Sequence, residues 1–558
     1  MSTRERIRPS RRTLLKASAA SAALALVNSV TPSLASAQAS TPTAASSVTD
    51  PDFAALDALV TKRMDALGVP GVAVSAIFGD REHAAGFGVT NVDHPLPVDA
   101  DTLFQIGSNT KTATGTALMR LVEAGKLSLD APVRAYLPAF RVADEGVSKA
   151  VTVRNLVTHT AGWFGDDFTD PGNGDDALAR YVSGMADLPQ VAPLGAHFSY
   201  NNAAVIAAGR IVEVLTGQTY EAAVTDLVLA PLGMDRSFFF AHEVITEAVA
   251  VGHDAPEGKP VVVRPWAIPR AADPAGGVVS GARDMLRYAR FHLGDGTANG
   301  ERVLSAASMR RMRTPLGPGG ALGPDVLDGV GVNWLLSMVD GARVVQHGGS
   351  TNGQQSALVL VPERAFALVV LTNANLGGAL GTEVTDWALA RFLGIRKDPP
   401  VEQPIPASLA TGIIGRYGDP STLSIEVAER GSALVATPMQ AGKPIPEEAL
   451  TLRFVGNDRF VSDSHGVGVY TDAVRNGTGK VAWLRFSGRL SPRRGSRPVV
   501  PPTNGTGGER LGVGASRRNG RSASRGARCR APTLPWSQPL PPTRTDDSAD
   551  LESGYRTG

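Results

Sequence analysis

Strand-like segments at both ends of a long stretch, with helix-like sequence between them, limit how this chain can fold. A helical segment and two alternating apolar runs open the stretch, and three strand-like runs and a helical segment close it. In chain order these segments are 56–67, 72–78, 83–89, 343–345, 356–361, 365–372 and 379–393. Because the apolar faces of all these elements must be covered, we predict an α+β fold with one antiparallel sheet flanked by the terminal helices. The helix-rich residues 126–340 are expected to form an α-helical subdomain beside that sheet.

The N-terminus has the pattern of an export signal. Arg11-Arg12 stands in a basic segment, residues 17–27 are modestly apolar, and Ala35-Ser36-Ala37 has the form of a cleavage site. This order of features is typical of a twin-arginine signal peptide. We therefore expect residues 1–37 to direct export to the periplasm, the cell envelope or the medium, and residues 38–50 to be a linker.

Composition also divides the C-terminal part of the chain. A main folded domain is expected over 51–397, and the proline-rich residues 398–406 are typical of a stiff linker. Short alternating runs over 407–490 predict a small all-β domain, either a barrel or a sandwich. Residues 491–558 contain twelve arginines and five acidic side chains, which predicts a disordered basic tail. Such a tail is expected to associate at most weakly with anionic cell-wall polymers, or to be an accident of the reading frame.

The charge and cysteine content exclude several classes of function. Residues 38–490 carry 47 acidic and 37 basic side chains, so a nucleic acid is not an expected partner. The longest apolar stretch is too short to cross a bilayer, so no membrane span is expected. The only cysteine, Cys529, lies in the tail. This placement excludes a disulfide framework, a cysteine nucleophile and a cysteine-ligated metal in the folded part.

Ser108-Asn109-Thr110-Lys111 is the first candidate for chemistry, at the start of a segment with helical periodicity. Residues three apart on a helix share a face, so a hydroxyl and an amine at this spacing can form a hydrogen bond. A lysine activates a serine only if burial or nearby positive charge lowers the lysine pKa. Taken alone, the pattern also fits a surface helix with a capping serine.

Two further motifs occur where such a serine would need them. Tyr200 and Asn202 precede a predicted helix, where a phenol with a lowered pKa could relay a proton and an amide could bind a substrate carbonyl. The stretch His347-Gly348-Gly349-Ser350 is expected at the end of a strand, where glycines would let a substrate backbone approach and an N–H group could bind an oxyanion. Taken singly, each motif is more often an ordinary turn than a catalytic element.

The three motifs in this order resemble the serine β-lactamase and penicillin-binding protein superfamily, over about residues 50–396. The resemblance is to the branch shared by class C β-lactamases, D,D-carboxypeptidases, D-aminopeptidases and related esterases. The stretches that support it are Phe104–Gly107, Leu156–Gly162 and Pro274–Ser280. Within the second stretch, His159 is expected to be a structural histidine.

The resemblance implies a role for each motif residue. Ser108 would be acylated, Lys111 would activate it, and Tyr200 would protonate the leaving group. The implied substrate-binding residues are Asn202, His347, Gly348, Gly349 and Ser350, with the N–H groups of Ser108 and Ser350 forming the oxyanion hole. No metal and no organic cofactor is implied.

The expected function is that of an exported serine hydrolase that cleaves an amide through an acyl-serine, in the manner of a D-aminopeptidase or D,D-carboxypeptidase. Penicillin-hydrolysing members mostly carry Lys-Thr-Gly where this chain has His347-Gly348-Gly349, and a largely neutral histidine suits an anionic substrate less well than a lysine. The alternatives are a carboxylesterase or weak β-lactamase that uses the same residues, and a non-catalytic penicillin- or wall-binding module. The expected partners are small peptides, esters or β-lactams, and the oligomeric state is left open.

Overall fold

The structure is a computed structural model that describes residues 52–255, 258–419 and 423–495. The predicted signal peptide, the linker over 38–50 and most of the predicted tail lie outside the described residues. The α-helices are α1 (Phe53–Leu67), α2 (Thr110–Glu123), α3 (Glu145–Ala150), α4 (Val153–Val157), α5 (Ala177–Gly184), α6 (Asn202–Thr216), α7 (Tyr220–Val224), α8 (Ala241–Val244), α9 (Asp273–Gly276), α10 (Ala282–Leu293), α11 (Ala306–Met312), α12 (Gly377–Leu393) and α13 (Ala407–Ile413). Among the helices of this described part, none combines the length and apolar character needed to cross a membrane.

The strands fall into a first group that ends before α12 and a second group after α13. The first group is β1 (Gly71–Phe78), β2 (Arg81–Gly88), β3 (Phe104–Gln105), β4 (His253–Asp254), β5 (Val261–Val262), β6 (Val279–Ser280), β7 (Thr297–Ala298), β8 (Glu301–Arg302), β9 (Gly317–Pro318), β10 (Ala321–Leu322), β11 (Asp325–Val326), β12 (Gly329–Val330), β13 (Leu335–Val339), β14 (Ala342–Thr351), β15 (Gln354–Val361) and β16 (Phe366–Thr372). The second group is β17 (Gly415–Gly418), β18 (Leu423–Arg430), β19 (Ala433–Gln440), β20 (Lys443–Pro444), β21 (Leu450–Gly456), β22 (Arg459–Ser464), β23 (Val467–Arg475), β24 (Val481–Phe486) and β25 (Arg489–Pro492).

One antiparallel sheet joins the two ends of the first domain, in the order β2-β1-β16-β15-β14-β13-β12-β9. Strand β1 pairs with β16 from Val72 opposite Thr372 to Phe78 opposite Phe366. Helices α1 and α12 cover one face of the sheet with buried apolar side chains. Helix α10 and the helical residues between β2 and β13 cover the other face and share the largest apolar core. The predicted α+β architecture is confirmed.

The sheet has three more strands than the sequence predicted, because β9, β12 and β13 extend it beyond β14. The predicted segment 343–345 is part of a ten-residue strand, β14. Strands β9 and β12 are two residues long, and alternation cannot be recognised over so short a run. The pairing of β12 with β13, and of β9 with β12, therefore follows from the sheet and not from a local pattern.

The C-terminal domain is a nearly closed antiparallel all-β barrel, one of the two all-β forms that the sequence predicted. Its strands follow the order β17-β18-β19-β21-β22-β23-β24-β25, and a bridge between Tyr417 and Arg493 brings the ends of this sheet together. The predicted boundary at residue 491 cuts β25, which runs to Pro492. This strand was missed because it lies in arginine-rich sequence. The guanidinium of Arg493, one residue after it, donates to the carbonyls of Gly412 and Ile414.

The proline-rich residues 398–406 contain no regular element and lie against the barrel. The N–H group of Gln403 donates to the carbonyl of Phe454 at 2.9 Å, and Ile405 packs against the barrel core. The segment is therefore attached to the barrel and is not a free spacer.

Candidate active site

Ser108 and Lys111 lie on one short piece of chain that enters α2. A 3₁₀ turn over Gly107–Asn109 carries the serine, and the lysine follows in the first turn of the helix. The Lys111 Nζ atom lies 2.8 Å from the Ser108 Oγ atom and donates to the carbonyl of Ala275 at 2.5 Å. The spacing of three residues therefore produces the hydroxyl–amine contact that the sequence predicted.

The Lys111 side chain is fully buried, with no surface exposed to solvent. Burial lowers the pKa of Lys111 well below its usual value, and the positive charge of Arg489 lowers it further, while Asp166 opposes the shift. Because the neutral amine has a free lone pair, a lysine whose pKa is lowered in this way can accept the serine proton.

Gly107 allows the serine-bearing turn to lie against strand β14. Its φ angle is +52°, in the left-handed region that favours glycine. A Cβ atom at this position would lie 2.7 Å from the backbone nitrogen of Ser350. The nitrogen of Ser350 is therefore next to the turn that carries Ser108, where an oxyanion hole requires a second N–H group.

The sequence placed the His347–Ser350 motif at the end of a strand. In the structure, β14 continues through the motif and ends at Thr351. Strand β13 pairs only with residues 342–346 of β14, while β15 pairs with its opposite side as far as Thr351. Within the described residues, the second half of β14 therefore has an unpaired edge on the β13 side. Its backbone groups are placed to receive an extended substrate.

The two glycines of this motif have different reasons to lack a side chain. A Cβ atom on Gly349 would overlap the carbonyl oxygen of Ile106 and the hydroxyl of Ser356. A Cβ atom on Gly348 would meet only the Ser356 carbonyl, at 3.6 Å, and Gly348 is exposed. The protein's own packing therefore requires a glycine at position 349, whereas Gly348 leaves open space beside the strand edge.

His347 is buried and lies close to the other motif residues. Its ring centroid is 6.1 Å from that of Tyr200, and its Nδ1 atom is 2.7 Å from the carbonyl oxygen of Gly348. Burial lowers the pKa of His347 to about 3. The ring is therefore neutral at neutral pH, as the sequence suggested.

Tyr200 completes the cluster around the serine. The Ser108 side chain is close enough to its phenol to lower the phenol's pKa, and the Lys111 Nζ atom lies 5.1 Å from its ring centroid. The sequence suggested a phenol with a lowered pKa, and this was wrong: burial raises the pKa of Tyr200 to about 12. The phenol is therefore protonated at neutral pH and is a proton donor in the resting site.

Asn202 is the first residue of α6, two residues after Tyr200. One N–H of its amide donates to the carboxylate of Asp166 at 2.7 Å. The same carboxylate accepts a hydrogen bond from the Arg489 Nε atom at 2.9 Å. Asp166 therefore fixes the orientation of the amide and connects it to the C-terminal barrel.

The barrel contributes directly to this side of the site through the turn between β24 and β25. The carbonyl of Gly488 accepts a hydrogen bond from the N–H of Tyr200 at 2.9 Å, and the N–H of Leu490 donates to the Ser199 hydroxyl at 3.1 Å. The Arg489 guanidinium carbon lies 4.6 Å from the Tyr200 ring centroid, and 34% of its side chain is exposed. We call residues 487–490 the barrel hairpin.

The sequence indicated neither Asp166 nor the particular residues of the barrel hairpin as part of the site. Asp166 stands in a loop whose local sequence carries no recognisable motif. Arg489 lies in β25, beside the arginine-rich sequence that was assigned to a tail. The only sequence signal for Arg489 was a positive charge after an alternating run, and such a charge usually marks the exposed end of a strand.

Residues 56–390 match the family model described as Beta-lactamase. The chain therefore belongs to the Beta-lactamase family, and the resemblance to serine β-lactamases and penicillin-binding proteins is confirmed. The matched range includes every motif residue that the sequence analysis selected. It ends before the barrel that supplies Arg489.

The chain is also similar to individual proteins and to solved structures. The chain is 37% identical over 373 residues to penicillin-binding protein 4 of Amycolatopsis lactamdurans, which covers 64% of this chain and 97% of that protein. It is 24% identical to protein flp of Staphylococcus aureus and spans 62% of that protein's length. A structure of SurE with D-Leu superposes with a TM-score of 0.64 at 25% identity, over 79% of this chain and 99% of that one. The octameric penicillin-binding protein homologue of Pyrococcus abyssi superposes with a TM-score of 0.56 at 25% identity, over 80% and 99%.

Proposed function

We propose that the protein is an exported serine hydrolase that cleaves amide bonds in small peptides containing D-amino acids, through an ester on Ser108. The observation that carries the proposal is the fully buried Lys111 amine at 2.8 Å from the Ser108 hydroxyl. Burial of a lysine costs stability through desolvation, and a lysine with a strongly lowered pKa is a candidate functional group. Beside a serine, the function we propose for the neutral amine is activation of the hydroxyl.

In the proposed acylation step, the Ser108 Oγ atom attacks the substrate carbonyl carbon while its proton passes to the neutral Lys111 amine. The carbonyl π electrons move to the oxygen, which becomes the oxyanion of a tetrahedral intermediate. The backbone N–H groups of Ser108 and Ser350 stabilise that charge from the serine turn and from the edge of β14. The intermediate then collapses and breaks the C–N bond of the amide.

Tyr200 protonates the departing amine, and the proton on Lys111 replaces the one that the phenol has lost. The raised pKa of Tyr200 supports this direction of transfer, because a phenol with a pKa of about 12 holds its proton until a basic amine develops. In deacylation, water attacks the ester carbon and gives its proton to the same lysine–tyrosine pair. Ser108 leaves with a proton, and a carboxylic acid is released.

The substrate class is proposed from the strand edge and the charge around it. The edge of β14 beside Gly348 accommodates an extended backbone, which peptides have. His347 is neutral, so it supplies no fixed cation of the kind that suits the carboxylate of a β-lactam. The likeness to SurE, whose structure was determined with D-Leu, supports a D-amino acid next to the cleaved bond.

Labelling followed by turnover tests this proposal. The protein is treated with a fluorophosphonate and analysed by mass spectrometry, and Ser108→Ala serves as the matched variant with circular dichroism to verify its fold. We expect one adduct on Ser108 and none in the variant. A modified serine elsewhere, or no adduct on a folded protein, contradicts the proposal.

Turnover is then compared on four substrates: p-nitroanilides of a D- and an L-amino acid, a short-chain p-nitrophenyl ester, and nitrocefin. We expect the highest kcat/KM on the D-anilide. Preference for the ester or for nitrocefin would replace the peptidase proposal with one of the two enzyme alternatives. Stoichiometric labelling without turnover of any substrate would indicate a binding module.

Export is proposed from the twin-arginine pattern alone. The wild-type chain is expected outside the cytoplasm with Gln38 as its first residue, since cleavage follows Ala37. Replacing Arg11 and Arg12 by lysine should leave the uncleaved chain in the cytoplasm. Equal export of both forms, measured by fractionation and N-terminal mass, would contradict the proposal.

A further inference from the structure

We propose that His159 is a positioning residue that holds Tyr200 in hydrogen-bond reach of Ser108; this inference rests on the proposed function. His159 lies two residues after the end of α4 and is completely buried. The sequence predicts a structural histidine at this position. Three of its contacts fall on the three residues centred on Tyr200, and its ring also meets that of Phe198 edge-on, with centroids 6.0 Å apart.

Three separate interactions connect His159 to that segment. Its carbonyl oxygen accepts a hydrogen bond from the N–H of Ser199 at 2.9 Å, and its Nδ1 atom accepts one from the N–H of Asn201 at 3.0 Å. Its ring stacks on the ring of Tyr200, with centroids 4.5 Å apart and an interplanar angle of 22°. One residue therefore holds the backbone on both sides of Tyr200 and also one face of the phenol.

The backbone of His159 is in an unfavourable conformation. Its φ angle is +56°, in the left-handed region that residues other than glycine rarely adopt. Such a conformation costs about 1–3 kcal/mol and persists only when surrounding contacts impose it. Strain of this kind next to a reacting group is typical of a residue that sets geometry.

The choice of histidine also needs an explanation beyond packing. Because Nδ1 accepts a hydrogen bond, the neutral ring carries its proton on Nε2, and this buried atom has no hydrogen-bond partner among the described residues. An apolar aromatic side chain would stack on Tyr200 without leaving a polar atom unsatisfied. What a histidine adds is the ring acceptor for the Asn201 N–H group. Burial keeps the ring neutral by lowering the pKa of His159 well below its usual value, so Nδ1 stays an acceptor.

A double-mutant cycle separates a positioning role from a general structural one. The cycle uses His159→Asn, Tyr200→Phe and the double variant, because asparagine tolerates a positive φ angle and keeps a side-chain acceptor but lacks the ring. On a substrate that the wild-type protein turns over, we expect His159→Asn to lower kcat about 10- to 100-fold, since a displacement of about 1 Å has effects of this size. KM should change less than about twofold. In the Tyr200→Phe background, the same substitution should have almost no effect on kcat.

His292→Asn is the matched control. His292 is also completely buried, and its ring contacts that of Tyr288 at 4.5 Å, but it lies away from Ser108 in the helical core. We expect a lower Tm and a nearly unchanged kcat. If His159→Asn does not fold, His159→Gly takes its place in the cycle, because glycine adopts the left-handed conformation without strain.

The inference is overturned if the His159 substitution lowers kcat equally with and without the Tyr200 hydroxyl, or leaves kcat unchanged. Failure of the proposed function has a different signature. In that case the wild-type protein shows neither an adduct on Ser108 nor turnover, whereas failure of this inference leaves the wild-type activity intact.

Discussion

The two sides of the candidate site are built over very different distances along the chain. Ser108 and Lys111 are three residues apart on one helical turn, and their contact needs little beyond that turn. Tyr200 is held by a loop residue 41 positions earlier, His159, and by the barrel hairpin nearly 290 positions later. The serine–lysine side is therefore local, whereas the tyrosine side is assembled by tertiary structure.

This difference predicts that the two sides respond differently to mutation. Changes on the local side should remove a chemical group and leave the fold intact. Changes on the assembled side should alter stability and catalysis together, because the same contacts hold the barrel, Asp166 and Tyr200.

Lys111→Met should give the largest effect on the local side. We expect kcat/KM to fall by about 10³- to 10⁴-fold, because the base for Ser108 is removed. Stability should not fall in proportion, since methionine fills a similar volume without a buried amine. Steady-state kinetics and thermal unfolding measure the two effects, and Lys126→Met, which changes an exposed lysine after the same helix, should behave as wild type.

The pH dependence of unfolding sharpens this prediction. Between the lowered pKa of folded Lys111 and the usual lysine value near about 10.4, the unfolded chain binds a proton that the folded chain has released. The free energy of unfolding of the wild type should therefore rise with pH in that window, and Lys111→Met should show a smaller rise. Equal slopes would mean that Lys111 is charged in the folded protein, which contradicts its role as the base.

Substitutions of Gly348 and Gly349 on β14 should have effects on kinetics and stability of intermediate size. Gly349→Ala should push Ile106 and the serine turn away from the strand, lowering kcat about 100-fold and stability by about 1–3 kcal/mol. Gly348→Ala should fold normally and raise KM several-fold, because its methyl group enters only the space beside the strand edge. Kinetics and urea unfolding compare them, and equal behaviour of the two variants would contradict the distinct roles assigned to these glycines.

Arg489→Met should give the smallest of these effects, and it acts on the assembled side. Because about a third of the Arg489 side chain is exposed, we expect a loss of about 1–2 kcal/mol in stability, together with about a 10-fold lower kcat. Adding Asp166→Asn should recover stability, since no unpaired carboxylate then remains. Urea unfolding and steady-state kinetics give both numbers.

Arg475→Met is the matched control for this variant. Arg475 and Asp458 form an ion pair in the barrel with side chains 39% and 31% exposed. Exposed pairs of this kind contribute about 0–1 kcal/mol, so activity should be unchanged. If the two arginine variants cannot be told apart, the barrel hairpin does not support Tyr200 and the comparison between the two sides of the site fails.

Most periodic elements were predicted from the sequence to within a few residues. Helix α12 ends at residue 393, as predicted, and β16 begins one residue after the predicted start of 365–372. Elements without periodicity were missed: β9 and β12 were not recognised, and β25 was divided between two predicted regions. Local sequence specifies an element only when several residues repeat the same apolar pattern.

The same contrast applies within the site. The sequence by itself determined the family, the α+β class and the pairing of Ser108 with Lys111, because motif order and helical spacing are properties of neighbouring residues. Only the tertiary structure decided that Asp166, His159 and Arg489 surround Tyr200, and that burial raises the phenol's pKa instead of lowering it. Burial and long-range contacts depend on which segments, distant along the chain, pack against each other, and no local pattern in this sequence specifies that packing.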